Sequence, residues 1–149
     1  MTTRYGLVGL IGIALVALAL GSPEKARAEG APSTAASTVT NDLMKRDLLS
    51  VPGKEIRVLT VEYVPGGASL PHRHNAQVLV YVLEGSVRMQ VEGSPAAILG
   101  PGAVFYEGPD DIHTVSANAS ATRPAKMLVF MLVDKNSPGS VTVRFGERP

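Results

Sequence analysis

The sequence predicts an all-β domain, built as a sandwich, a jelly roll or a small barrel. Short runs of apolar or alternating residues are separated by turns rich in glycine and proline at intervals of about 8–12 residues. Only 18% of the residues are charged, and the chain contains 15 glycines and 11 prolines. This composition favours a β domain with many loops over a helical bundle. The length of 149 residues suits one domain.

Residues 1–28 have the order of features found in a secretory signal peptide. Arg4 precedes the uncharged apolar run LVGLIGIALVALAL at residues 7–20, and Ala26 and Ala28 are small residues at the positions that a signal peptidase reads. We therefore expect cleavage after Ala28, a secreted or periplasmic location, and no membrane association of the mature chain. The alternative is a retained membrane anchor, although a stable spanning helix needs about 20 apolar residues.

Residues 29–41 (EGAPSTAASTVTN) are small and polar, and they predict a flexible leader because they bury too little surface to offset the entropy of ordering. The folded domain is predicted to occupy residues 42–149. Its first segment, residues 41–49, is compatible with a short helix or an edge strand. Eight strands are predicted after it, at residues 55–64, 77–83, 86–92, 96–99, 103–107, 113–117, 126–133 and 141–145.

Composition excludes several classes of function. The chain has no cysteine, so it has no disulfide, no thiolate metal site and no cysteine nucleophile. Its 14 basic and 13 acidic residues leave a formal net charge of +1, which provides no basic excess for a phosphate backbone. Nucleic acid is therefore not expected as the main partner.

The three histidines are the strongest functional signal. His72 and His74 form a His-x-His motif before the strand at 77–83, and alternate side chains of an extended chain share a face. His113 follows a turn and begins another apolar strand. The face that His72 and His74 share is predicted to be the inner one, because its other members are all apolar: Ala76, Val78, Val80 and Val82.

A buried histidine is more often a hydrogen-bonded core residue than a metal ligand. Three buried histidines in a domain this small would each need a partner, however, or would each cost about 1–3 kcal/mol. Coordination of one shared metal ion removes that cost for all three, so the pattern favours a metal site.

The residues around these histidines resemble the motifs of the cupin superfamily, in particular its small single-domain members. The first stretch offers Gly66 or Gly67, His72, His74 and then Gly85, and the second offers Gly102, the turn at 108–112, His113 and Asn118. The resemblance covers residues 48–133 and implies a jelly-roll β-barrel. It departs from the family at Val78, where the superfamily usually has a glutamate.

The resemblance implies that His72, His74 and His113 are metal ligands. The fourth ligand is left open: Glu107 is the only carboxylate in its apolar strand, Gln77 is one residue away from the usual glutamate position, and water is the third option. The metal is one divalent ion, but imidazole ligands accept Fe, Mn, Zn, Ni and Cu, so its identity stays open.

The resemblance also implies oxygen-dependent, dioxygenase-like chemistry on a small organic molecule. Two alternatives remain, because one fold hosts many chemistries: a non-enzymatic module that binds a metal or small ligand, and a metal-dependent isomerase or lyase. A homodimer through sheet pairing, with residues 141–145 as a candidate edge, and a monomer are both left open.

Overall fold

The computed structural model describes residues 38–143, which form two five-stranded antiparallel sheets. No helix in this part of the chain is long and apolar enough to cross a membrane. The ten strands are β1 (Thr38–Asp47), β2 (Lys54–Tyr63), β3 (His72–Arg73), β4 (Ala76–Glu84), β5 (Val87–Val91), β6 (Ala97–Leu99), β7 (Val104–Glu107), β8 (His113–Asn118), β9 (Ala125–Asp134) and β10 (Val141–Thr142). The predicted all-β fold class is therefore confirmed.

The first sheet has the strand order β1-β2-β9-β4-β7, and the second has the order β10-β3-β8-β5-β6. The inner faces of the two sheets enclose one apolar core. Val78, Val80 and Val82 of β4 lie in it together with alternate residues of β9. The predicted inner face of β4 is thus confirmed, since its residues alternate between buried and exposed along the strand.

The segment left open as a helix or an edge strand is an edge strand. β1 pairs only with β2, and Thr38 lies opposite Tyr63. The predicted end of the leader, residue 41, is therefore placed too far along the chain, because residues 38–41 already belong to β1. The β-branched side chains of Thr38, Val39 and Thr40 suit a strand, and β2 supplies hydrogen-bond partners that the sequence pattern does not reveal. Residues 1–37, with the predicted signal peptide, and residues 144–149 lie outside the described part.

β3 was not predicted, because a strand of two residues carries no periodicity. β4 runs to Glu84, one residue beyond its predicted end, and the Gly85 that follows has a φ angle of +69°. A Cβ atom at this position would also lie 2.9 Å from the Cα of Ala125, so only glycine fits without strain.

Candidate metal centre

The sheet register brings the three histidines and Glu107 together inside the domain. His72 on β3 lies directly opposite His113 on β8, and their ring centroids are 5.3 Å apart. His74 follows β3, and its ring centroid is 4.8 Å from that of His72. Glu107 ends β7, next to β4. All four residues predicted as ligands therefore lie in one cluster.

His72 and His74 turn the same ring nitrogen towards each other. The Nδ1 of His72 donates a hydrogen bond of 2.7 Å to the carbonyl oxygen of Leu70, and the Nδ1 of His74 donates one of 2.7 Å to that of Gly139. A neutral imidazole carries only one N–H, so both Nε2 atoms are lone-pair acceptors. These two acceptors are 3.1 Å apart, which is unfavourable unless a cation or a proton lies between them.

His113 has no hydrogen-bond partner on either ring nitrogen within the described residues, although only 2% of its surface is exposed. Its ring stacks on that of Phe105, with centroids 5.5 Å apart and an interplanar angle of 23°. Nearly all buried polar atoms in proteins are paired. A bound metal ion would supply the missing partner for one of these nitrogens.

Glu107 is also buried, with 3% of its surface exposed. Its two carboxylate oxygens contact different histidines, since Oε2 is 3.5 Å from the Nε2 of His74 and Oε1 is 3.5 Å from the Nδ1 of His113. Burial, together with the charge of Asp111, raises the pKa of Glu107 to about 7. Ionisation of this buried carboxyl is therefore unfavourable unless a cation is bound in the cluster.

The imidazoles are held neutral. Burial lowers the pKa of His72 and of His74 below the usual value. Burial and the two neighbouring imidazoles lower the pKa of His113 to about 3. A neutral imidazole is the form that binds a metal ion. The three imidazoles are thus already in the protonation state of metal ligands.

The spacing of these atoms suits a small divalent ion. Ligands at about 2.1 Å from one ion lie about 3.0–3.4 Å from one another for octahedral or tetrahedral angles, and the contacts measure 3.1, 3.5 and 3.5 Å. Within residues 38–143, no three of these side chains converge on one point with the distances of a complete coordination shell. The contacts form a chain from His72 through His74 and Glu107 to His113, so small side-chain rotations have to complete the shell.

Gln77, the alternative to Glu107, does not reach the cluster. It is exposed on the opposite face of β4, so that alternative is wrong. The alternation along β4 turns Gln77 outward, whereas its inward neighbour Val78 lies directly opposite Glu107 on β7. The carboxylate is thus supplied by the adjacent strand, beside the position where the resemblance leads one to expect a glutamate.

The cluster is also held by a segment that the sequence analysis missed. The chain from Ser137 to Thr142, here called the strap, provides the Gly139 carbonyl for His74 and pairs Thr142 with His72. Arg57 on β2 anchors the strap, because its guanidinium donates a hydrogen bond of 2.8 Å to the carbonyl oxygen of Ser137. Backbone acceptors carry no sequence signature, so no pattern in the sequence marks this role.

Arg57 is itself fixed by Glu55, which is 2% exposed. Its Nε donates a hydrogen bond of 2.7 Å to Oε1 of Glu55, and Lys45 lies 3.3 Å from the other carboxylate oxygen. Burial would raise the pKa of Glu55, but Arg57 and Lys45 together hold it below its usual value. The pair is therefore charged, and it orients the guanidinium towards the strap.

We expect the change Arg57→Gln to weaken metal binding by about tenfold, as is typical when a partner that orients a ligand is lost. The strap loses its anchor, so the acceptor for His74 is no longer fixed. Competition titration with a chromophoric chelator measures the affinity. Lys45→Gln is the matched control, since it removes the other cation at Glu55 and leaves the bond to Ser137. Equal affinities for the two variants would contradict the anchoring role.

A cavity of about 1130 Å³ extends from the four side chains between the sheets to β1. Its apolar walls include Leu59, Val61, Val80, Met127 and Met131, and polar side chains such as Thr40, Asp42 and Lys45 line it near β1. The Tyr63 hydroxyl also borders it, but this group is bonded at 2.8 Å to the hydroxyls of Ser69 and Ser116. The cluster thus lies in the wall of a space large enough for a small organic molecule.

Comparison with known proteins relates this arrangement to one family. Residues 59–131, which contain all four clustered side chains, match the family model described as a cupin domain. No curated protein matches the chain.

Three solved structures illustrate the similarity of fold. Oxalate oxidase in complex with the substrate analogue glycolate is 25% identical, with a TM-score of 0.57 over 76% of this chain and 59% of that one. The DMSP lyase DddQ from Ruegeria pomeroyi is 22% identical, with a TM-score of 0.54 over 62% and 45%. A cupin-like protein from Thermotoga maritima is 21% identical, with a TM-score of 0.57 over 71% and 75%. The chain thus spans about half the length of the first two proteins.

Proposed function

Because the chain belongs to the cupin superfamily, we propose that it is an exported, metal-dependent cupin that acts on a small organic molecule. One divalent ion is held by His72, His74, His113 and Glu107. The substrate occupies the cavity next to these residues. The predicted signal peptide supports the export.

The observation that carries the proposal is the contact between the Nε2 atoms of His72 and His74. Both Nδ1 atoms are committed to carbonyl oxygens, so two lone pairs face each other at 3.1 Å. A proton between them is disfavoured because burial lowers the pKa of both rings. A metal ion bound by both Nε2 atoms removes the repulsion between their lone pairs. It also provides a partner for His113, whose nitrogens are both unpaired in the described structure.

The donor set of three imidazoles and one carboxylate fits Fe(II), Mn(II), Zn(II), Ni(II) or Cu(II). When bound, such an ion supplies a Lewis acid for an oxygen of the substrate and, if it is redox active, electron exchange with O₂. The chain's own contribution is positional. The carbonyls of Leu70 and Gly139 orient two rings, and Phe105 holds the plane of the third by stacking.

The cavity indicates the kind of substrate. Its walls include apolar side chains, and its polar groups lie both at the histidines and along β1, at Thr40, Asp42 and Lys45. A small molecule with oxygen donors for the metal, an apolar part and a further polar group fits this distribution. We propose oxygen-dependent oxidation as the reaction class. The similarity to oxalate oxidase supports it, although the chain spans only 59% of that protein.

The test is O₂ uptake by the protein purified after expression of the full chain. The protein is loaded with Fe(II) or Mn(II) and offered a panel of phenolic, dicarbonyl and short carboxylic compounds. We expect uptake that requires both the metal and one class of compound. Full metal occupancy without turnover would instead indicate a binding module. Exchange of a substrate proton in D₂O without O₂ would indicate an isomerase or lyase.

A further inference from the structure

One row of side chains crosses the inner face of the first sheet and ends at the cluster of ligand residues. Arg57 of β2 lies opposite Met131 of β9. Val78 of β4 lies between Met131 and Glu107 of β7. Residues directly opposite each other on neighbouring strands point to the same side of a sheet, and all four border the cavity. The row thus has a cation at one end, a carboxylate of the cluster at the other and an apolar middle.

The guanidinium of Arg57 has one nitrogen that no described residue uses. Its Nε donates a hydrogen bond to Oε1 of Glu55, and its Nη2 donates one to the carbonyl oxygen of Ser137. Nη1 has no hydrogen bond within residues 38–143. Only 18% of the Arg57 side chain is exposed, so the cavity is the main space from which an acceptor can reach this nitrogen.

This nitrogen lies next to the residue of the strap that orients His74. The carbonyl oxygen of Gly139 accepts the hydrogen bond of 2.7 Å from the Nδ1 of His74. A Cβ atom on the same glycine would lie 3.6 Å from the Nη1 of Arg57, and Gly139 borders the cavity. One residue of the strap thus separates the guanidinium from an imidazole of the cluster, so a small ligand can contact both.

The length of the row limits the size of such a ligand. Three strand spacings of about 4.8 Å place the Cα atoms of Arg57 and Glu107 about 14 Å apart. Their two side chains fill about half of this span, which leaves room for a chain of about four to six carbon atoms. Met131 and Val78 are buried beside the middle of this chain and provide an apolar wall for it.

The charges at the Arg57 end of the cavity cancel. Two cations and two anions border this end or contact a residue that does: Lys45, Arg57, Asp42 and Glu55. Glu55 contacts both cations. A net field therefore does not select an anion there, and recognition depends on the hydrogen bond that Nη1 can donate. A guanidinium N–H binds a carboxylate oxygen more strongly than a neutral acceptor.

We propose that Arg57 binds a carboxylate of the substrate, and that the substrate is a short-chain organic acid whose other end carries the oxygen donors for the metal ion. This inference rests on the proposed function and names the chemical class of its substrate. The carboxylate accepts a hydrogen bond from Nη1, and the carbon chain packs on Met131 and Val78. Nε and Nη2 keep their bonds to Glu55 and to the strap.

Two probes with five carbon atoms test the distant carboxylate without turnover. 2-Oxoglutarate and 2-oxopentanoate present the same oxo-acid group to the metal, but only the first has a carboxylate at its far end. Isothermal titration of the Zn(II)-loaded protein measures both affinities, because Zn(II) has no redox chemistry. We expect 2-oxoglutarate to bind at least about tenfold more tightly, the gain typical of one charge-assisted hydrogen bond. A ratio of about one, or no binding of either probe, would overturn the proposal.

The variant Arg57→Gln should reduce this ratio of affinities to about one. Both probes are measured on the same sample at saturating Zn(II), so a weaker metal site or a loosened strap changes both affinities and leaves their ratio. Arg88→Gln is the matched control, since Arg88 is exposed on β5 of the other sheet, and it should keep the wild-type ratio. An unchanged ratio in Arg57→Gln would overturn the proposal. The wild-type ratio tests it even if this variant does not fold.

The outcome can be separated from the reaction class. A tenfold ratio that Arg57→Gln abolishes, together with no O₂ uptake in any assay, would contradict the proposed oxidation and support the substrate class. O₂ uptake with uncharged phenols, together with a ratio of about one, would support the proposed reaction and overturn the role of Arg57.

Discussion

Replacing His74 by alanine is expected to weaken metal binding by at least about 100-fold, and His72→Ala and His113→Ala should have effects of the same order. Loss of a partner that only orients a ligand costs about 10–100-fold, and these changes remove a ligand itself. Metal content after dialysis and isothermal titration of the metal-free protein measure the loss. Circular dichroism should retain the β signature of the wild type.

Gln77→Ala is the control for these variants. Gln77 is the second residue of β4, close in the chain to His74. Its exposed side chain points away from the cluster, so metal binding should be unchanged. A histidine variant that keeps the wild-type affinity would remove that residue from the ligand set. A loss of metal in Gln77→Ala would show that the assignment of faces along β4 is wrong.

Metal binding is expected to be about tenfold weaker at pH 6 than at pH 8. The metal-free protein holds Glu107 with a pKa of about 7 because burial disfavours its charge. At pH 6 about one chain in ten therefore has the ionised carboxylate that a metal ion needs, and binding has to displace the proton in the rest. Above about pH 8 the carboxylate is almost fully ionised, so the affinity should level off. Titrations of the metal-free protein at several pH values measure this.

The variant Glu107→Gln separates the carboxyl from the imidazoles. Its affinity should be lower than that of the wild type and nearly constant from pH 6 to pH 8, since His113 has a pKa of about 3 and burial lowers the pKa of His72 and His74. An unchanged tenfold dependence in Glu107→Gln would assign the titration to a histidine. An unchanged affinity would exclude Glu107 as a ligand.

The sequence predicts the parts of the site that depend on periodicity. The alternation of β4 places Val78 and Val80 on the inner face, and the same parity turns His72 and His74 in one direction. His113 is recognisable because it begins an apolar strand after a turn. These predictions need no knowledge of which strands are neighbours, and the structure agrees with them.

The parts that depend on strand pairing could not be predicted. Only the register of β4 and β7 shows that Glu107 lies beside Val78. The anchoring of the strap by Arg57 links positions 80 residues apart through a backbone carbonyl. The sequence also does not reveal that Tyr81 of β4 is 40% exposed on the outer face of the first sheet, because a parity pattern does not tell whether a second layer covers that face.

The most direct test is the metal content of the protein purified from cells after expression of the full chain, followed by equilibration of the metal-free form with Fe(II), Mn(II), Zn(II), Ni(II) and Cu(II) in turn. We expect about one tightly bound ion per chain, with imidazole nitrogens in its first shell by X-ray absorption spectroscopy. A folded protein that retains none of the five ions would contradict a metal centre at His72, His74, His113 and Glu107.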